Sequence, residues 1–119
     1  MKNLKQVIVM RTDLNMRKGK MVAQGAHSVA IALLSIPDEK INTVKEWANS
    51  GMTKICVGID SAEALLDLAE RASKAGLTVR SVTDAGRTEF HGEPTDTCIC
   101  IGPDESEEID KFTGGLKLL

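Results

Sequence analysis

The sequence predicts a single three-layer α/β domain, in which helices cover both faces of a four-stranded mixed β-sheet. Short apolar runs rich in β-branched residues alternate with amphipathic segments of helical spacing, as an α/β fold requires. The 119 residues suit one domain, so we expect residues 1–119 to fold as a unit. Hydrophobic residues make up 42% of the chain and charged residues 27%, which is typical of a globular protein.

The predicted elements follow the order β-α-α-β-α-β-β-α. A strand is expected wherever a short apolar run is bounded by polar or turn residues, and a helix wherever apolar residues recur at helical spacing. Glycine or proline ends most of the helices. The predicted strands are 6–11, 53–59, 77–83 and 97–101, and the predicted helices are 20–35, 38–49, one from Asp60 to Gly76, and a short terminal one capped by Asp104 after a turn at Gly102-Pro103.

The connections between the strands predict the sheet. Helical crossovers favour parallel pairing of the first three strands. The connection 84–96 is too short for a crossover helix, so the fourth strand is expected to run antiparallel. The apolar tail 114–119 is expected to dock on the body of the domain.

The charge balance argues against a generic nucleic-acid-binding protein, so any contact with RNA would need a local basic patch. The net charge is −2, the pI is about 5.7 and aromatic residues make up only 3% of the chain, which also argues against modules that stack RNA bases on aromatic side chains. However, residues 11–20 hold four bases and one acid, whereas residues 104–110 hold five acids and no base. This asymmetry indicates either a basic patch at a binding site on an otherwise acidic protein or a solvated surface whose charge is unevenly distributed.

The three cysteines, Cys56, Cys98 and Cys100, lie in strand-like runs and are expected to be small buried hydrophobic residues. Such thiols suit a reducing compartment. No second Cys/His pair has the spacing of zinc ligands, so no metal site is predicted. The sequence shows neither a signal-peptide core nor a membrane-length apolar run. We therefore expect a cytoplasmic protein that does not span a membrane.

Polar residues recur on the first predicted helix. Lys20, Gln24 and His27 are spaced to share one face, and the basic residues Arg17 and Lys18 precede them at the helix N-terminus. Backbone N–H groups, the helix dipole and ammonium groups could together bind an anion there. The alternative is a solvent-facing stripe behind a basic loop. No glycine pattern of a nucleotide-binding loop is present.

A second polar group follows the third predicted strand, where α/β sheets commonly bind ligands. Asp84, Arg87 and Thr88 lie at this strand end, and Thr97 opens the fourth strand nearby. An acid, an arginine and a hydroxyl group could orient a water molecule or hold a phosphate. The alternative is a turn stabilised by an Asp–Arg pair. No Gly-x-Ser-x-Gly elbow or activated thiol is evident, so hydrolysis here would need a positioned water and a polarised carbonyl.

Taken together, these stretches resemble the archaeal and eukaryotic type of peptidyl-tRNA hydrolase, the type-two family, over almost the whole chain. Each stretch alone is a weak signal, but together they are highly specific. The resemblance rests on Gln6 to Asp13, Lys18-Gly19-Lys20, Ala23-Gln24, His27, the run from Asp84 to Thr88, Ile101-Gly102-Pro103, Thr113-Gly114 and Leu116 to Leu119.

The resemblance implies that the protein hydrolyses the ester joining a peptide to the terminal ribose of tRNA, without metal or nucleotide cofactor, and that it pairs as a homodimer. It implies catalytic roles for Lys20, Gln24, Asp84 and Thr88, and a substrate contact from Thr97. His27 matches a recurrent family position and either contacts substrate or has a structural role. The basic loop and the strand end add Arg17, Lys18 and Arg87 as candidate substrate contacts. Asp84 would orient or deprotonate a water, Lys20 would offer charge to the oxyanion or a phosphate, and Arg87 would lock Asp84 or bind phosphate. A non-catalytic module that binds tRNA ends or a protein is the alternative.

The chain also departs from the family pattern. Family members usually have Gly where Arg17 stands, and often Cys or Val where Gly25 stands. The acidic residues Glu89 and Glu93 lie near the presumed RNA side. These departures concern substrate affinity and preference more than the fold.

Overall fold

The computed structural model describes residues 3–85 and 92–119 and has the predicted sheet, flanked by helices on both faces. Eight major elements follow the predicted order, and a short 3₁₀ helix at Asp38–Lys40 precedes the second α-helix. The strands are β1 (Leu4–Arg11), β2 (Lys54–Ile59), β3 (Val79–Asp84) and β4 (Thr95–Glu105), and the helices are α1 (Lys18–Leu34), α2 (Ile41–Asn49), α3 (Ala62–Lys74) and α4 (Ser106–Thr113).

The strand order across the sheet is β2-β1-β4-β3. β1 and β2 pair in parallel, whereas β4 lies between β1 and β3 and pairs antiparallel with both. The predicted antiparallel fourth strand is therefore confirmed, and the first three strands do run in one direction. The expectation that all three pair with one another was wrong, because β4 inserts between β1 and β3.

Two apolar clusters hold the layers together. On one face of the sheet, Val7 and Ile99 belong to the cluster that packs against Leu65 and Leu68 of α3 and Ile109 of α4. On the other face, the cluster of Ile8, Met10, Val82 and Cys98 packs against α1. Since β1 and β4 contribute alternate residues to both clusters, the two central strands are buried on both sides, as their continuous apolar sequence predicts.

The predicted turn at Gly102-Pro103 was wrong. These residues lie inside β4, at an irregularity where Lys5 pairs with Asp104 but Val7 pairs with Ile101. Gly102 has a φ of +93°, and an added Cβ would lie 2.8 Å from the carbonyl oxygen of Lys5. A bulge accepts both a left-handed glycine and a proline that cannot donate to the ladder, so the strand continues. The terminal helix accordingly begins at Ser106, and Asp104 does not cap it.

The C-terminal tail docks as expected. The backbone N–H of Gly58 donates to the carbonyl oxygen of Lys117, and that of Leu119 donates to Cys56. The tail thereby occupies part of the exposed edge of β2, which would otherwise present unpaired backbone groups. Within the described ranges, no helix is both long enough and apolar enough to cross a membrane.

Candidate functional site

An ion pair joins the two polar groups that the sequence singled out. Lys20 lies in the first turn of α1, and Asp84 is the last residue of β3. The Lys20 Nζ donates to Asp84 Oδ1 at 2.6 Å, and the two side chains are only 18% and 15% exposed. Because water is largely excluded from the pair, the two charges act on one another and on any bound group more strongly than surface charges do.

A buried hydrogen bond lies beside this ion pair. Gln24, one helical turn after Lys20, donates from Nε2 to the Thr97 hydroxyl at 3.0 Å. Gln24 is 6% exposed and Thr97 is fully buried. A polar pair in a core position is stable only when its groups are hydrogen-bonded, so this contact fixes the orientation of the Gln24 amide.

A bulge in β4 makes the Gln24–Thr97 contact possible. Val82 pairs with Cys98 while Thr83 pairs with Asp96, which leaves Thr97 as an extra residue. In a regular strand, Thr97 and Cys98 would point to opposite faces. Instead, both side chains reach Gln24: the Thr97 hydroxyl accepts from its side-chain Nε2, and the Cys98 thiol contacts its backbone carbonyl oxygen at 3.5 Å. Bulges near active sites commonly redirect a side chain in this way.

Basic residues cluster at the N-terminus of α1. Arg17 is the N-cap residue and makes no side-chain cap bond, and the first helical turn contains no acid. Arg17 and Lys18 are exposed. Basic residues in the first turn oppose the helix dipole, so an anion bound there would relieve an unfavourable arrangement.

Of the remaining predicted residues that the structure describes, His27 is not in this cluster. His27 is exposed on α1, and among the described residues it makes no hydrogen bond to Lys20, Gln24 or Asp84. Arg87 and Thr88 lie outside the described residues, so the predicted pairing of Asp84 with Arg87 stays a prediction.

Sequence reasoning missed a second polar cluster at the same end of the sheet. Arg11 donates to both carboxylate oxygens of Asp13, at 3.0 and 2.6 Å, and to the carbonyl oxygen of Asp96 at 3.0 Å. The Thr83 hydroxyl donates to the Asp96 carboxylate at 2.6 Å. An arginine that directly ends a buried apolar strand, followed by an acid two residues later, was the available signal.

The cysteines contribute no activated thiol. Burial raises the pKa of the Cys98 thiol and raises that of Cys100 to about 12. These thiols stay protonated at neutral pH and are poor nucleophiles. Cys56 is exposed, contrary to the expectation that all three cysteines are buried. Across the part of the chain that the structure describes, no three His, Cys, Asp or Glu side chains are grouped to hold a metal ion.

An ammonium–carboxylate pair and a fixed amide at the carboxyl edge of an α/β sheet could orient a water and polarise a carbonyl, as in hydrolases that use no covalent nucleophile. Comparison with known proteins agrees with this class. The family model described as "Peptidyl-tRNA hydrolase PTH2" matches residues 4–119, and the chain belongs to this family.

Individual relatives match over nearly the whole chain. A protein of Methanocaldococcus jannaschii named "Peptidyl-tRNA hydrolase" is 44% identical over 98% of this chain and 100% of its own length. Relatives of the same name from Methanopyrus kandleri and Haloquadratum walsbyi are 45% and 43% identical, each over 97% of this chain and over 97% and 99% of their own lengths. The similarity therefore covers every element that builds the site.

Proposed function

We propose that this protein hydrolyses the ester bond of peptidyl-tRNA, or of N-blocked aminoacyl-tRNA, and so releases free tRNA and peptide. The observation that carries the proposal is the family match over residues 4–119, which includes both strands and the helix that hold the site. The Lys20–Asp84 pair supports it, because it supplies opposite charges at one point of the surface.

We propose that Asp84 is the general base. Its carboxylate would accept a proton from a water whose oxygen attacks the ester carbonyl carbon. The Lys20 ammonium, 2.6 Å from the same carboxylate, would stabilise the oxyanion that develops on the carbonyl oxygen. The intermediate then breaks its bond to the ribose oxygen, which takes the proton held by Asp84 and leaves as the tRNA hydroxyl, so that Asp84 is again a carboxylate. The peptide leaves with a new carboxylate.

Gln24 would place the ester for this attack. The Gln24 Nε2 group donates one hydrogen bond to the Thr97 hydroxyl, which fixes the plane of the amide. The second N–H of Nε2 and the side-chain carbonyl oxygen of Gln24 would orient the substrate. We propose that Thr88 also donates a hydrogen bond that places the ester. In this proposal Thr97 acts through Gln24 and does not touch the reacting atoms.

The exposed basic residues Arg17 and Lys18 would contact tRNA phosphates, and His27 and Arg87 are further candidates for substrate contact. Arg17 and Lys18 lie at the positive end of α1, one turn or less from Lys20. A phosphate bound there would set the ester next to Asp84. An overall acidic protein could bind RNA in this way, since the contact needs only a local positive potential.

We also propose that the protein forms a homodimer and acts in the cytoplasm. An apolar groove of about 740 Å³ lies between α1 and the β1–β2 half of the sheet, and Ile8, Met21, Val22, Val29 and Leu119 line it. Val22 is 72% exposed, which is unusual for an apolar helix residue and favours a covering partner. A monomer at micromolar concentration in sedimentation equilibrium would contradict the dimer. Three free thiols favour a reducing compartment.

The alternative function is a binding module that holds tRNA ends or a protein without catalysis. One experiment separates the two: purified protein is incubated with acetylated aminoacyl-tRNA, with and without EDTA, and ester loss is followed. Hydrolysis that continues in EDTA is expected. Tight binding without ester loss would favour the binding module, and activity that chelation abolishes and zinc or magnesium restores would refute the metal-free mechanism.

A further inference from the structure

Each of the three guanidinium nitrogens of Arg11 donates a hydrogen bond within the protein. Its side chain is only 11% exposed, and Nε, Nη1 and Nη2 all donate to Asp13 or Asp96. The bidentate hydrogen bond to Asp13 raises the pKa of Arg11, and the same bond lowers the pKa of Asp13. Such planar two-point pairing is rigid as well as strong, and it leaves Arg11 little capacity to bind a phosphate.

This one side chain ties together the three segments that carry the site. Asp13 lies in the connection from β1 to α1, which carries Lys20 and Gln24. Asp96 directly precedes the bulged residue Thr97 in β4. The Asp96 carboxylate also accepts a hydrogen bond from the hydroxyl group of Thr83, the neighbour of Asp84 in β3.

The hydrogen bond from Arg11 to Asp96 restrains the backbone next to the bulge at Thr97. The Thr97 hydroxyl is 3.4 Å from the carbonyl oxygen of Val82, a long and therefore weak hydrogen bond. The Arg11–Asp96 bond is 3.0 Å and charge-assisted. Arg11 thus supplies the stronger side-chain restraint on the backbone beside Thr97, and the orientation of Thr97 determines that of the Gln24 amide.

We propose that Arg11 is a positioning residue: it sets the geometry of the Gln24–Thr97 pair and the spacing between α1 and Asp84 without touching substrate. The catalytic part of this inference rests on the proposed function. A displacement of about 1 Å in a reacting group can cost on the order of 10²-fold in rate, so a restraint of this kind affects turnover more than binding.

The first test replaces Arg11 with Ala and measures kcat and KM below the melting temperature of the variant. We expect kcat to fall about 10-fold or more while KM stays within about twofold, because the substrate contacts remain. The salt dependence of binding should match that of the unaltered protein. Arg71→Ala is the matched control, since it breaks an Arg–Asp pair of 2.8 Å that is largely exposed on α3, and it should change neither constant.

A second readout needs no catalysis. In the unaltered protein, the side-chain amide protons of Gln24 should exchange slowly with solvent, because the amide is buried and hydrogen-bonded. NMR of Arg11→Ala should show faster exchange of these protons and a shifted resonance. A double-mutant cycle with Thr97→Val should show that the two losses of kcat are not additive, as expected if Arg11 acts through Thr97.

Arg11→Lys and Asp13→Asn provide the same readouts if Arg11→Ala does not fold, because each keeps part of the network. Unchanged kcat with unchanged Gln24 exchange would overturn the proposal. A raised KM with a flattened salt dependence would also overturn it, since Arg11 would then bind phosphate. If the unaltered protein hydrolyses no ester, the proposed function fails, and the Gln24 exchange experiment still decides whether Arg11 positions this pair.

Discussion

Replacing Asp84 with Asn isolates the charge at the centre of the site. Asn has nearly the same shape as Asp and can still accept a hydrogen bond from the Lys20 ammonium. It cannot take a proton from water, and it no longer neutralises Lys20. Because the pair is 2.6 Å apart and its side chains are at most 18% exposed, we expect losses of both turnover and stability.

The two losses should differ greatly in size. Loss of general-base assistance should lower turnover by about 10²-fold or more. A charge-assisted hydrogen bond contributes about 2 kcal/mol, between the small value of exposed pairs and the larger value of fully buried ones. For a chain of 119 residues, that free energy corresponds to a fall in Tm of roughly 8 °C. At 25 °C the variant should still be folded, so single-turnover ester hydrolysis measures the chemical step.

The chain offers a closely matched control. Lys40 Nζ and Asp104 Oδ2 are also 2.6 Å apart, with side chains 24% and 11% exposed, but they lie at the opposite end of β4. Asp104→Asn should lower Tm by a similar amount and leave turnover unchanged. A folded Asp84→Asn protein with nearly unaltered single-turnover rate would refute the base assignment. Equal losses of turnover in both variants would show that stability, and not chemistry, limits the rate.

Two further predictions concern charge. Lys18→Ala should flatten the slope of log binding constant against log salt concentration by about one unit, because one exposed cation at the positive end of α1 is lost. The control variant Lys45→Ala, on α2, should leave this slope unchanged. Equal slopes for the two variants would mean that the RNA binds elsewhere on the protein. Stability should fall as pH rises from about 9 to about 12, because the Cys100 thiol loses its proton in the unfolded chain near pH 9 but keeps it in the folded protein to about pH 12. Cys100 should contribute about 1 kcal/mol per pH unit to this slope. Cys98, whose pKa burial also raises, adds to the slope in the same direction, and no tyrosine contributes to it. Urea titrations should show that the free energy of unfolding depends less steeply on pH in Cys100→Ala, and as steeply as in the unaltered protein in Cys56→Ala. An unaltered pH dependence in Cys100→Ala would contradict the assignment to Cys100.

The fold was largely predictable because its signals are local and repeated. Apolar β-branched runs and amphipathic segments give the type and order of every element, and burial of β1 and β4 on both faces follows from their continuous apolar sequence. The position of β4 between β1 and β3 was not predictable in this way, because it depends on which strands pair across the whole chain. The Gly102-Pro103 dipeptide misled for a related reason: its turn chemistry also suits a bulge, and only pairing with β1 decides between the two.

The sequence singled out Lys20, Gln24 and Asp84 as candidate site residues, but it did not predict the contacts between them and the rest of the domain. Helical spacing placed Lys20 and Gln24 on one helix, and the strand end placed Asp84 at the sheet edge. The Lys20–Asp84 pair joins residues 64 positions apart, which no local pattern reports. Strict alternation would direct Thr97 and Cys98 to opposite faces, so the bulge that brings both to Gln24 left no signal in the sequence. The Arg11–Asp13 spacing was a local signal, but the contact of Arg11 with the Asp96 carbonyl oxygen, 85 positions away, was not predictable from it.

The Gln24–Thr97 pair allows stability and function to be separated. Thr97→Val removes the hydroxyl and keeps the shape, which leaves the Gln24 amide, 6% exposed, without this partner. Leaving one buried polar group unpaired costs about 1–3 kcal/mol, whereas replacing both members with apolar groups can be nearly neutral. The double variant Gln24→Met with Thr97→Val should therefore recover much of the stability that Thr97→Val loses. It should not recover turnover, because the ester would still lack the oriented amide. Urea denaturation and single-turnover hydrolysis of the two single variants and the double variant test this. If the double variant regained activity together with stability, Gln24 would be a structural residue, and the amide would have no part in placing the substrate.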